Sequence, residues 1–251
     1  MNTQKLFFLT NDDGFDAVGL RALATLLHSR HTPFFISAPL AEQSGTSHAI
    51  TLHRPLRMKK MADGVVIDGT PTDAVFVGMN ETEKPHMLIS GINRGGNLGN
   101  DLIYSGTVAA AHEGFSFDIP SLAVSLCPGG RFPDDEERWF ARAAELLIDT
   151  IIPYIENREE HSSAPFLYNV NIPLVTLMKG KTPEIRYATL GKRLYGGGVE
   201  KRRDPRGREY IWIGGDQMSF ADIPGSDCNF IQEGFITITA LEPNFEKITA
   251  T

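Results

Sequence analysis

Apolar and polar positions alternate along the first two thirds of the chain in blocks that predict strands and helices in turn. Leu6 to Leu9 is a short apolar run bounded by turn formers, which reads as a buried strand, and Asn11 to Gly14 forms the turn out of it. Behind that turn, Val18, Leu20, Leu23, Ala24, Leu26 and Leu27 recur with helical spacing up to Ser29. Further strands are expected at Pro33 to Ala38, Val65 to Ile67, His86 to Ser90 and Pro120 to Leu126. Thr70, Pro71 and Asp73 mark one helix start, Ser105-Gly106-Thr107 opens an Ala-rich helix, and Asp135 to about Ile155 carries a long apolar stripe. Such alternation predicts a Rossmann-like, doubly wound α/β fold with a mostly parallel sheet.

The remainder reads differently. Phe166 to Ile172, Ile185 to Leu190, Glu209 to Ile213 and Phe235 to Ala240 look like strands with little helix between them. The alternation in the last two suits antiparallel pairing with one exposed side. The expectation is one domain over residues 1–251, with a metal-binding core to about 180 and a strand-rich extension with an oligomerisation hairpin from about 181. Between these strands lies a Gly-rich basic segment that includes Lys192, Arg193, Arg202 and Arg203, a solvated hairpin arm or a phosphate-attracting lip.

Composition narrows the function. A net charge of −7 argues against binding a DNA or RNA duplex or an anionic membrane. No segment resembles a signal peptide or a membrane span, so a soluble cytoplasmic protein is expected. Cys127 and Cys228, the only cysteines, lack partners at zinc-like spacing.

The chemistry concentrates where strands end. One Asp in a turn is an ordinary capping residue, but Asp12 and Asp13 are adjacent at the end of a buried strand and repel each other unless a cation or proton compensates. Two more polar loops fall at strand ends: Glu42 to His48, with Ser44, Thr46 and Ser47, and Gly91 to Asp101, with Asn93 and Asn97. In an open α/β sheet such loops meet at one edge. The donor set is rich in oxygen and free of thiols, which suits Mg²⁺ or Mn²⁺. Backbone N–H groups at Gly106, Thr107 and Val108, with the hydroxyls of Ser105 and Thr107, make an anion site at a helix start. A cation beside an anion cradle is what phosphate ester hydrolysis needs. GxxxxGK[ST] is absent, GxGxxG does not follow the first strand, and the loops lack the later Asp and Lys of a phosphoacceptor domain.

NDDG followed by AxGL, APxxxxSG, GTPTDA, SGINRGGNLG and YSGTVAAAxEG, in that order, resembles the survival protein E (SurE) family of metal-dependent nucleotidases, and DPRGREYIW and EGFITIT extend the likeness. The resemblance implies one divalent cation per subunit, Mg²⁺ or Mn²⁺, on Asp12, Asp13, Ser44 and Asn93. It implies a phosphate pocket of Asn97, Ser105, Gly106 and Thr107. It further implies nucleoside 5′- and 3′-monophosphates as substrates, polyphosphate in some members, and a homodimer or homotetramer that exchanges an extended hairpin. Family members often carry Pro where this chain has Gly96, a change that frees a φ angle and removes no ligand. His48, a lone histidine near a loop, is left outside the catalytic set.

Overall fold

The computed structural model describes residues 5–162, 164–195, 198–213 and 218–242. The ends of the expected core and extension, the central glycines 196–197 of the basic segment and residues 214–217 lie outside the described residues.

The first strand and helix form where the apolar pattern puts them: β1 is Phe7–Thr10 and α1 is Val18–Ser29. Then follow β2 (Phe34–Pro39), β3 (Met58–Met61), β4 (Gly64–Ile67), α2 (Pro71–Gly78) and β5 (Met87–Arg94). A 3₁₀ turn (Gly99–Tyr104) leads into α3 (Gly106–Ser116), β6 (Ser121–Cys127) and α4 (Glu136–Leu146). Helix α4 passes through a wide π turn at Leu147–Ile151 into α5 (Ile152–Glu159). Pro153 accounts for that turn, because a proline ring collides with the carbonyl one turn back and the extra residue relieves the clash. After it come β7 (Leu167–Pro173), α6 (Leu174–Met178), β8 (Ile185–Tyr187), β9 (Arg193–Tyr195), β10 (Val199–Arg203), β11 (Glu209–Ile213), β12 (Met218–Phe220), α7 (Asp227–Glu233) and β13 (Ile236–Ala240).

Among the described residues one sheet runs β3-β4-β2-β1-β5-β6-β7-β13-β8. From β4 to β7 all neighbours are parallel. Numbered along the chain, those six stand in the order 3-2-1-4-5-6, the doubly wound arrangement whose direction reverses between β1 and β5. Side chains leave a strand on alternate faces, so Phe7 and Leu9 join one core with α1, α4 and α5, while Phe8 joins the other with α2 and α3. Helix α2 starts at a reciprocal cap: Thr70 Oγ1 accepts from Asp73 N–H at 3.1 Å, and Thr70 N–H donates to Asp73 Oδ2 at 2.9 Å.

The distal strands depart from the expected pattern. β11 pairs antiparallel with β10 in a hairpin that is exposed throughout. β13 is antiparallel to β7 as expected, yet it also pairs with β8, and Ile236 to Thr239 are buried on both faces. Thr237 and Thr239 share this burial, so a sequence that alternates becomes a covered strand whose β-branched side chains suit a packed sheet.

Helix α1 reaches the sheet through Gly19. A Cβ there would sit 1.9 Å from the Ile92 carbonyl oxygen, so the first turn of α1 lies directly on the end of β5. Gly19→Ala therefore separates helix propensity from packing. Propensity alone favours Ala by about 1 kcal/mol; the overpacking against Ile92 reverses the sign, and the variant loses about 1–3 kcal/mol in a denaturant titration.

Candidate active site

The turn after β1 is fixed by one side chain. Asn11, buried, donates its Nδ2 to the Gly14 carbonyl at 2.8 Å and accepts the Gly14 N–H at 3.2 Å. Gly14 takes φ +104°, a region that favours glycine. The two acids between them are held differently. Asp12, 4% exposed, accepts the Thr107 hydroxyl at 2.6 Å, and Asp13 accepts the Arg94 N–H at 3.2 Å. The Asp12 carbonyl accepts the Gln43 N–H at 2.7 Å, which brings the second polar loop alongside. Ser44 stands exposed on that loop, its hydroxyl donating to Glu42 Oε1 at 2.9 Å.

The third loop is longer in the sheet than expected. β5 continues beyond Ser90 to Arg94, and its register against β6 shifts between Ser90 and Asn93. Such a bulge re-aims the residues after it. Asn93 Nδ2 donates to the Gly95 carbonyl at 2.9 Å, which leaves the amide oxygen as the acceptor. Asn97 is pinned from below: its N–H donates to Asn171 Oδ1 at 3.0 Å, its carbonyl accepts from Asn169 and Asn171 at 2.8 Å each, and its Nδ2 donates to Ser125 Oγ at 3.0 Å. Gly96 has its own steric reason, since a Cβ would lie 2.7 Å from Cys127 Sγ.

These loops enclose a cavity of about 380 Å³ outside the carboxyl ends of β1 and β5, where the strand order reverses. Asp12, Asp13, Ser44, Asn93, Asn97 and Ser105 all line it. Gly106 and Thr107 do not; they lie behind Asp12. Thr107 is fully buried, and a Cβ on Gly106 would come within 2.8 Å of Asp12 Cβ. Ser105 caps α3 by accepting the Val108 N–H at 3.1 Å. The positive end of that helix is thus directed first at the Asp12 carboxylate. His48 lies outside the lining, bonded to Glu113 Oε2 at 2.9 Å and edge-on to His112.

The cavity also gathers residues outside the expected metal and phosphate sets: Glu42, Arg94, Asp101, Tyr104, Arg193 and Tyr195. Of the basic segment, Arg193 alone among the four cations enters it. It pairs with Asp101 at 2.8 Å, while Arg202 pairs with Glu200 and Arg203 with Glu209 on the exposed hairpin. The signal for Asn169 and Asn171 lay in YNVNIP, where amides at alternate positions interrupt an otherwise apolar strand. The basic composition of the segment pointed to Arg193, but Tyr195 carries no local signal, because the partner of both, Asp101, is distant in sequence.

Burial raises the Asp12 carboxyl, against the opposing hydrogen bonds from Thr107. Asp13 is pushed up to about 6, first by burial and then by the charge of Asp12. A buried acid, a half-buried one, a hydroxyl and an amide oxygen make a hard oxygen set that fits a divalent cation. Among the described residues, no group of three or more His, Cys, Asp and Glu gathers here or elsewhere.

A testable consequence concerns Asp13 in chelator. The folded state holds its proton more tightly than the unfolded chain, so stability falls as pH rises from 3.8 to about 6. Asp13→Asn removes that penalty. At neutral pH the variant is more stable than the parent by about 1–3 kcal/mol, and its advantage vanishes below the ordinary carboxylate range, as read by thermal melting across pH.

Comparison with known proteins agrees with this geometry. The family described as Survival protein SurE matches over residues 7–197. The 5'-nucleotidase SurE of Anaeromyxobacter sp. (strain Fw109-5) is 45% identical over 240 residues, spanning 93% of this chain and 88% of that protein. The 5'-nucleotidase SurE of Geotalea uraniireducens (strain Rf4) is 43% identical over 248 residues, with 96% of each covered. The crystal structure of the SurE protein from Aquifex aeolicus superposes with a TM-score of 0.76 at 33% identity, over 96% of this chain and 95% of that one. By motif order, sheet topology and sequence identity alike, this chain belongs to the survival protein SurE family.

Proposed function

We propose that this protein is a divalent-metal-dependent 5′-nucleotidase that hydrolyses nucleoside 5′- and 3′-monophosphates to nucleoside and phosphate. The observation that carries the reading is the adjacent Asp12–Asp13 pair at the strand-order reversal, Asp12 buried and Asp13 partly so, facing a ligand-sized cavity with hydroxyl and amide oxygens beside it. The names of the relatives, 5'-nucleotidase SurE, support the same activity.

Asp12, Asp13, Ser44 and Asn93 would hold Mg²⁺ or Mn²⁺, which when bound supplies Lewis acidity at the phosphoryl group and acidifies water. The chain's own groups then do the positioning. Thr107 fixes Asp12 by donating to Oδ1, and the Arg94 N–H fixes Asp13, so neither carboxylate has to reorganise during the reaction. Asn97 and Ser105 border the space where the phosphoryl group lies, and Asn169 and Asn171 hold the Asn97 backbone from beneath. The crowding of Gly106 against Asp12 keeps the start of α3 close to the acid.

Phosphate release from a panel of nucleoside monophosphates tests this directly. Mn²⁺ or Mg²⁺ supports turnover and chelator abolishes it, whereas turnover that survives chelation sinks the metal mechanism. Asp12→Asn lowers kcat/KM by about 10²–10³-fold, the scale of removing one transition-state stabiliser. Thr107→Val, which leaves the cavity lining intact, lowers it by about 10–100-fold through loss of positioning.

The proposal includes a cytoplasmic homodimer or homotetramer. The support is the β10–β11 hairpin, where Trp212 is 62% and Ile213 90% exposed on strands that pair only with each other among the described residues. No described helix is long and apolar enough to cross a membrane. Sedimentation of the parent is expected to give a multiple of the chain mass, with Trp212→Asp shifting it toward monomer. A monomeric parent at micromolar concentration would remove the oligomer from the proposal.

A further inference from the structure

The cavity has an acidic floor and an aromatic rim. Tyr104 closes the 3₁₀ turn and Tyr195 ends β9; both line the cavity that holds Asp12 and Asp13, yet they remain 60% and 52% exposed. Rings this open contribute little to the core, and both neighbour a polar hollow.

The rim is held rather than loose. The Tyr195 hydroxyl hydrogen-bonds Asp101 Oδ2, the same oxygen that pairs with Arg193 Nη1 at 2.8 Å. Arg193 and Tyr195 are two residues apart on β9, so they leave the strand on one face. The Arg193 N–H also donates to Asn100 Oδ1 at 2.7 Å, which ties β9 to the 3₁₀ turn through both backbone and side chain. Burial and the Asp101 bond push the Tyr195 phenol up to about 12, so it stays a donor to Asp101 while the side chain as a whole stays half exposed. Tyr104 is held from its backbone, where the carbonyl accepts the Ser47 N–H at 3.2 Å. Tyr195, pinned by its hydroxyl, and Tyr104, anchored by its backbone, thus flank from separate elements the cavity that the carboxylates floor.

We propose that Tyr104 and Tyr195 form the nucleoside subsite, stacking the base of a monophosphate whose phosphate lies at the Asp12–Asp13 end. This rests on the phosphomonoesterase reading above and adds the part of the substrate that is recognised beyond the phosphate. Stacking suits such a rim because every base has an apolar face, and a ring fixed in advance loses little freedom on contact. Asp101 and Arg193 position Tyr195; they do not read the base. The subsite therefore grips bases of any identity, and it separates nucleotides from phosphate esters that have no base.

The test compares a nucleoside 5′-monophosphate with ribose 5-phosphate as substrates of the metal-loaded full chain. The parent prefers the nucleotide. Tyr104→Ala and Tyr195→Ala raise KM for the nucleotide and cut its kcat/KM preference over ribose 5-phosphate by about 5- to 150-fold, the span for losing one stacked ring. Tyr195→Phe, which keeps the ring and loses the Asp101 bond, retains more of the preference than Tyr195→Ala. If Tyr195→Ala does not fold, Tyr104→Ala carries the measurement alone. A preference that stays unchanged in the alanine variants, or a fall that is equal for both substrates, overturns the subsite. A parent that hydrolyses neither ester overturns the phosphomonoesterase reading itself, and the subsite with it.

Discussion

Two adjacent carboxylates at the end of a buried strand are the constraint on which the rest of this structure depends. Burial raises both, the charge of Asp12 raises Asp13 further, and the groups that reach them are mostly uncharged: a threonine hydroxyl, backbone N–H groups and the start of a helix. These partners orient the acids without neutralising them. The position follows from topology. β1 and β5 are the neighbours from which the doubly wound sheet departs in opposite directions, so the loops after them cannot cover each other, and a crevice opens between them. An acidic pair placed anywhere else along β1 would be enclosed by helices on both faces. At this edge a cavity opens beside the acids.

Holding that edge open requires close backbone contacts on either side. Gly19 lets α1 rest on the Ile92 carbonyl, and Gly106 lets α3 rest against Asp12. Both glycines are ones that a helix would otherwise replace with alanine, by propensity alone. Gly96 belongs to the same group for a different reason, because it makes room for the Cys127 thiol beneath the loop. A proline at that position would bring its own Cβ against the sulfur. The glycine and the cysteine are thus one packing unit, and the sequence motif sees only the first of them.

Local signals made the parallel core legible. Helix α1 begins and ends where the leucine spacing says, and Thr70 and Ser105 cap as their positions imply. Asp12, Asp13, Ser44 and Asn93 share a cavity because each sits in a loop at a strand end, and a doubly wound sheet brings such ends together. What stayed hidden depends on distance or on edges. β3 reads Met-Lys-Lys-Met, which has no period of two, and it is an exposed edge strand whose lysines suit that position. β13 alternates like a half-exposed strand but is covered by β7 and β8. The resemblance directed Thr107 toward phosphate, whereas its hydroxyl is bonded to Asp12.

The glycine-rich loop after β5 explains why the distal third of the chain belongs to the same physical problem as the acids. A loop with so many glycines gains little shape from its own backbone preferences, so its form is imposed by contacts. From below, Asn169 and Asn171 of β7 hold Asn97. From the side, fully buried Asp227 accepts N–H groups from Gly99, Gly191 and Cys228 at 2.8, 2.7 and 2.7 Å, so that one carboxylate joins the loop to the distal segment. Arg193 and Tyr195 then grip Asp101 two residues further on. Asp12 and Asp13, on the turn after β1, make none of these contacts, whereas Asn97 and Tyr195 depend on them. A weakening of the distal contacts would therefore loosen the loop after β5 and the Tyr195 side of the cavity before it disturbed the acids.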